Sequence, residues 1–218
     1  MIIITNFKTY DQAVGNHAIK LAQIHENITE QENIVFGVAP TVFDLEKICL
    51  SCLKIPVFAQ HVDDADYGSF TGKIPPALVR KMGVSGTLLN HSENRLNYEY
   101  LEKCVKKAQE VGLSVVICAE SVEEGQTFLK LEPDFIAIEP PELIGGDISV
   151  STANPEIIKK AVEVLGSEKT IVGAGIKNSE DVRIAKELGA SGILLASGVT
   201  KSANPKEVLI DLATGAKA

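Results

Sequence analysis

Tryptophan is absent from the chain, aromatic residues make up 5% of it, and only four cysteines are spread over its 218 residues. So few thiols argue against a disulfide framework. A folded chain of this size buries roughly 70% of its unfolded surface, so its stability needs neither cross-links nor a metal. Reduced thiols and a cytoplasmic location are the expectation. Positive charge is scarce too. The count is 21 Lys and Arg against 29 Asp and Glu, a net charge of -8 with no basic run. That field works against nucleic acid and anionic membrane surfaces. It leaves room for a small anion, because a few local donors decide the potential inside a cleft. Apolar runs such as Ile2-Ile3-Ile4 end after a handful of residues, far short of the ~20 that span a bilayer. No basic segment followed by an apolar one opens the chain, so no secretory signal is expected. Linkers rich in Pro, Gly or Ser are missing as well, and residues 1–218 read as a single domain.

What is present is alternation. Short β-branched runs fall at Ile2–Asn6, Ile34–Ala39, Pro56–Gln60, Gly86–Asn90, Ser114–Ala119, Asp134–Glu139, Thr170–Gly173 and Ser191–Ala196. Most are continuously apolar, which is how strands buried on both faces of a parallel sheet read. Between them, helical patterns cover Ala18–Asn27, Asp44–Leu53, Pro76–Met82, Tyr98–Val111, Glu123–Leu131, Pro155–Leu165, Glu180–Leu188 and Pro205–Leu212. Asn154-Pro155 and Asn204-Pro205 each set an N-cap residue before a proline at the first helical position. Gly112 and Gly189 stand where helices turn into strands. Strands start about every 27 residues, near the ~30 of one βαβ unit. Eight evenly spaced units favour a closed (β/α)8 barrel over an open doubly wound sheet. No G-x-G-x-x-G follows the first strand, which weakens the dinucleotide-binding alternative.

In such a barrel the chemistry sits at the carboxyl ends of the strands. Those ends carry Asn6-Phe7-Lys8, Gln60-His61, Asn90-His91-Ser92-Glu93, Glu139-Pro140, Gly173-Ala174-Gly175 and Ala196-Ser197-Gly198. One Lys, one His and one Glu thus converge opposite two glycine-rich turns, the pattern of a base, an electrophile and an anion pocket. Each also has a plainer reading: a solvated surface lysine, a histidine bonded to backbone, ordinary barrel turns. Glu139 is harder to dismiss. It follows Phe135-Ile136-Ala137-Ile138 and precedes two prolines, so its carboxylate should be partly desolvated and its pKa raised. Cys49-Leu50-Ser51-Cys52 has metal-ligand spacing but no second pair, so no metal is expected. Cys104 and Cys118 read as packing. His17 and His25 read as solvated helix residues, and His61 as a mouth residue that could orient Lys8 or an interface.

These motifs together resemble the triosephosphate isomerase family in its shorter archaeal-type form, over essentially the whole chain. Asn6-Phe7-Lys8 resembles the family's N-x-K, and His91-Ser92-Glu93-Asn94-Arg95 its H-S-E-R-R. Ala137-Ile138-Glu139-Pro140 resembles A-Y-E-P, and Phe70-Thr71-Gly72 the interface loop after strand three. Departures are Asn94 for an Arg, Lys73 for an acid, Gly175 for a Ser, and a 141–146 lid segment without Trp. The resemblance implies a single-domain TIM barrel acting on a phosphorylated three-carbon sugar. It would interconvert dihydroxyacetone phosphate and D-glyceraldehyde 3-phosphate through an enediol(ate), in glycolysis and gluconeogenesis. By resemblance Glu139 is the base, neutral His91 polarises the carbonyl, and Lys8 and Asn6 contact the substrate. Ile144, Gly145, Gly175, Ala196, Ser197 and Gly198 would hold the phosphate, under a lid at 140–146. No metal or cofactor is implied. The implied assembly is a homo-oligomer, a tetramer first and a dimer otherwise. Two alternatives stay open: another phosphate-binding barrel enzyme of amino-acid biosynthesis, or an inactive sugar-phosphate-binding scaffold.

Overall fold

The computed structural model describes residues 1–141 and 149–218. Its eight strands are β1 (Ile2–Asn6), β2 (Val35–Ala39), β3 (Phe58–Ala59), β4 (Gly86–Leu89), β5 (Ser114–Ala119), β6 (Phe135–Ile138), β7 (Thr170–Gly173) and β8 (Gly192–Leu195). They run in the order β2-β1-β8-β7-β6-β5-β4-β3, with every pairing parallel. The seam between β2 and β3 carries a single bridge, Val38 to Val57, with the Val38 N–H donating to the Pro56 carbonyl at 3.1 Å. That bridge closes the ring, giving the (β/α)8 barrel that the strand spacing predicts.

The helices are α1 (Asn16–Glu32), α2 (Leu45–Ser51), α3 (Pro76–Lys81), α4 (Tyr98–Glu110), α5 (Val122–Phe128), α6 (Val150–Ala153), α7 (Pro155–Leu165), α8 (Ser179–Glu187), α9 (Ser197–Thr200) and α10 (Pro205–Lys217). Strand side chains alternate between two cores, as a period of two requires. Ile4, Ala39, Leu88, Val116, Ala137, Ile171 and Leu194 fill the ring together with Phe58. Their neighbours Ile3, Val38, Leu89, Ile117, Ile136 and Ile193 face the helices. Among the described residues, Phe58 is the one aromatic side chain buried inside the ring, and glycines on both flanking strands make room for it. A Cβ at Gly86 would stand 2.7 Å from the Phe58 ring, and one at Gly37 would stand 3.1 Å from it.

Four local readings need correction. Helix α10 runs five residues past the expected Leu212, because Ala213, Gly215 and Ala216 are buried. Helix α1 runs five residues past the expected end, because Ile28 is buried and Asn33 closes the helix in the left-handed conformation. Asn154 precedes α7 without a side-chain capping bond, whereas Asn204 does cap α10. His25 is fully buried and not solvated. Its Nε2 lies 2.8 Å from Thr5 Oγ1 on β1, and its Nδ1 lies 2.8 Å from the Leu21 carbonyl. Burial lowers its pKa to about 4, so the ring is neutral at ordinary pH. His17 is exposed, as read.

Candidate active site

The mouth of the barrel holds a cleft lined by Asn6, Lys8, His91, Glu139, Gly175, Ala196, Ser197 and Gly198. All eight are residues singled out from the sequence. The other two, Ile144 and Gly145, lie outside the described residues, as does most of the expected lid.

Glu139 follows directly on β6, its N–H bonded to the Ala119 carbonyl at 2.9 Å. Continuing the strand ladder by one residue carries the side chain into the barrel mouth. The carboxyl group is fully buried, and burial raises its pKa to about 7. A hydrogen bond from the Cys118 thiol and the charge of Lys8 act the other way. Oε2 is buried without a hydrogen-bond partner among the described residues. Such an atom costs free energy unless another molecule satisfies it.

His91 is aimed by its predecessor. Asn90 takes a left-handed turn (φ 60°) that ends β4. Its amide then staples the turn on both sides, donating to the Cys118 carbonyl at 3.0 Å and accepting from the Leu96 N–H at 2.9 Å. The Glu93 N–H donates to His91 Nδ1 at 3.2 Å. An Nδ1 that accepts leaves the ring proton on Nε2, and Nε2 lies 3.8 Å from Glu139 Oε2. Burial and the Lys8 charge push the His91 pKa down, against the pull of Glu93. The imidazole is therefore neutral, with its Nε2–H on the side of the Glu139 carboxyl group.

Lys8 sits in a left-handed turn as well (φ 47°), an uncommon conformation for a residue with a side chain. Asn6 Oδ1 accepts its N–H at 2.9 Å, and Gln60 Nε2 donates to its carbonyl at 3.0 Å while also bonding the Ala39 carbonyl. Strain of this kind persists only where neighbours over-determine it. The ammonium lies 2.7 Å from Glu93 Oε1, whose side chain is 60% exposed. Gln60, not His61, is thus the residue that orients Lys8. His61 turns instead toward Asp63, with Nε2 3.5 Å from Oδ1. Asp63 also takes the Lys73 ammonium and the Ile74 N–H, pinning the neck of the loop that carries Phe70-Thr71-Gly72. The departure at Lys73 is absorbed by this contact within the chain.

The sequence reading missed Tyr10, Ile176 and Lys177, which also line the cleft. Each stands three or four residues beyond a strand end, and that position was the only available signal. Among the described residues, no three His, Cys, Asp or Glu side chains gather to hold a metal ion.

A raised carboxylate beside a neutral imidazole moves protons, so the fold and the site together define an acid–base enzyme of the (β/α)8 class. Comparison with known proteins makes the assignment particular. The family model described as triosephosphate isomerase matches residues 1–214. The chain is 42% identical over 216 residues to the triosephosphate isomerase of Methanocaldococcus jannaschii, covering 97% of this chain and 98% of that protein. It is also 42% identical to the enzyme of that name from Thermoplasma volcanium, over 212 residues, with 96% and 98% covered. The same identity holds over 214 residues of the Methanosarcina acetivorans protein, 96% of each chain. The chain belongs to the triosephosphate isomerase family.

Proposed function

We propose that this chain, working as one barrel domain over residues 1–218, interconverts dihydroxyacetone phosphate and D-glyceraldehyde 3-phosphate, the isomerisation used in glycolysis and gluconeogenesis. The reading rests on one observation above the others: a buried carboxyl group with an unpartnered oxygen, 3.8 Å from a neutral imidazole. Glu139 takes the proton from the carbon beside the carbonyl. The C–H electrons form the C=C bond of an enediolate, and the carbonyl oxygen takes up the charge. His91 Nε2–H donates to that oxygen, and the Lys8 ammonium stabilises the charge developing there. His91 Nε2 passes its proton to that oxygen and takes the one on the adjacent hydroxyl, so the charge moves to the second oxygen. Glu139 then returns its proton to the former carbonyl carbon as the second oxygen forms the new C=O. The hydrogen removed is the hydrogen returned, so the step needs no redox cofactor and no metal.

Asn6 supplies a further polar contact, and the phosphate rests on Gly175, Ala196, Ser197 and Gly198. The amides of Ser197 and Gly198 open α9 and have no acceptor inside the helix. Lid contacts through Ile144 and Gly145 belong to the same proposal. Binding at the phosphate, away from the reacting carbons, is what holds them in position.

The chain is further proposed to be a homo-oligomer, a tetramer or else a dimer. Phe43 and Phe70 are 88% and 41% exposed at the barrel mouth, a large apolar display for a lone chain. The cytoplasm is the compartment in which its four free cysteines stay reduced. A coupled assay of glyceraldehyde 3-phosphate isomerisation tests the activity. Turnover is expected, and a folded protein that does not turn over would overturn the reading.

A further inference from the structure

We propose that Lys177, on the turn between β7 and α8, recognises the phosphate of the substrate and supplies a second positive charge to a pocket otherwise built from backbone. The inference rests on the proposed isomerase reading and adds to it a residue that none of the motifs contains.

Lys177 is half-buried and lines the catalytic cleft on the same side as Gly175, Ser197 and Gly198. It also lines a second cavity, which shares Gly175 with the cleft and includes Ser149, Thr152 and Asp181. The two glycine-rich turns touch here. The point where a Cβ of Gly198 would stand is 3.3 Å from the Ile176 carbonyl oxygen, 3.8 Å from Lys177 Cα and 3.9 Å from Lys177 Cγ. The stem of the lysine therefore starts against the turn proposed to hold the phosphate. Its backbone is fixed rather than loose. The Lys177 N–H donates to Oδ2 of the buried Asp181 at 3.0 Å, and the Asp181 N–H is in turn bonded to Asn178 Oδ1 at 3.0 Å.

Charge gives the reason. A phosphate monoester carries about -1.5 to -2 at neutral pH, and this protein carries a net -8. Among the described residues lining the cleft, the cations are Lys8 and Lys177. Lys8 serves the carbonyl end of the substrate in the proposed reaction, which leaves Lys177 as the cation on the phosphate side of the cleft. Lysine binds phosphate as a compact point charge on a flexible stem, a suitable partner for a dianion held mainly by amides.

The test uses the full chain. The kcat and KM for glyceraldehyde 3-phosphate, and the Ki of inorganic phosphate as a competitive inhibitor, are measured for the wild type, Lys177→Met and Lys177→Arg. In Lys177→Met, KM and the phosphate Ki are expected to rise together by roughly 5- to 50-fold, with a smaller fall in kcat because the phosphate also positions the reacting carbons. Lys177→Arg should recover most of the loss. The salt dependence of kcat/KM should also become shallower in the Met variant, because one charge no longer acts. If the Met variant melts early, Lys177→Gln gives the same reading. A folded, active variant with wild-type KM and phosphate Ki would overturn the assignment of Lys177 and leave the isomerase reading intact. A wild type that neither isomerises the triose nor binds phosphate would overturn both.

Discussion

A Cβ on Gly173 would stand 2.5 Å from Cγ of Glu139 and 2.8 Å from its Oε1. No side-chain carbon tolerates that approach, so the glycine at the end of β7 is the space into which Glu139, the proposed base just after β6, folds. Gly173→Ala should leave the barrel intact, at an overpacking cost of about 1–3 kcal/mol. It should lower kcat by roughly 10- to 100-fold through displacement of the carboxylate. Circular dichroism beside a kinetic assay checks this. Undiminished turnover in a folded Gly173→Ala protein would count against Glu139 as the base.

Glu139 also links activity and stability to pH. A base must be ionised, so kcat/KM should rise as pH passes through about 7 and then level off, and Glu139→Gln should lower kcat by about 10²–10⁴-fold. The stability effect has the opposite sign. Between the unfolded value of 4.5 and the folded value of about 7, the folded state holds the extra proton, so stability is lost as pH rises through that window. Glutamine has no proton to lose. At pH 8 the inactive Glu139→Gln variant should therefore be the more stable protein, by up to roughly 3 kcal/mol, as read from urea midpoints.

His25 works in the other direction. Its folded pKa of about 4 lies below the ordinary 6.5, so in that window the unfolded chain binds more protons. Stability should fall as pH drops from 6.5 toward 4, by up to roughly 3 kcal/mol. Urea midpoints taken in the Glu139→Gln background isolate this contribution from that of the base. Adding His25→Gln should flatten the profile, and an unchanged slope would place the acid sensitivity elsewhere.

Assembly can be tested at the exposed aromatics. Sedimentation at micromolar concentration should show a homo-oligomer, and Phe70→Asp should shift it toward monomer. A wild type that sediments only as a monomer would refute the proposed association.

Much of the fold was legible because the strands are continuously apolar and evenly spaced, and seven of the eight are found within one residue of the expected bounds at either end. Strand β3 is the exception, expected over Pro56–Gln60 and laddered only at Phe58–Ala59. Pro56 has no N–H to give, and Val57 meets β2 only through the isolated bridge to Val38. The site was legible where side chains of one kind of chemistry fall at strand ends. It was not legible where a long-range partner decides the matter. The polar neighbours Gln23 and Glu26 suggested that His25 faces water, yet its partner Thr5 comes from a distant strand. Gln60 and His61 are adjacent, and only the register of β3 against β1 and β2 decides which of them meets Lys8. Lys177 carries no motif at all. It reaches the cleft because two turns, 21 residues apart in sequence between 177 and 198, come together in space.

The seam between β2 and β3 has a dynamic consequence. A hoop fastened at one place by a lone bridge and a glutamine amide breathes there first, so amides near Val57 should exchange with deuterium sooner than those of β5 or β6. The ammonium at position 8 is one strand from that fastening, and the carboxylate at 139 is on the far arc. Thermal loosening would thus free the cation while the proton acceptor is still locked, and warmed enzyme should lose its grip on the triose before it loses the capacity to ionise it.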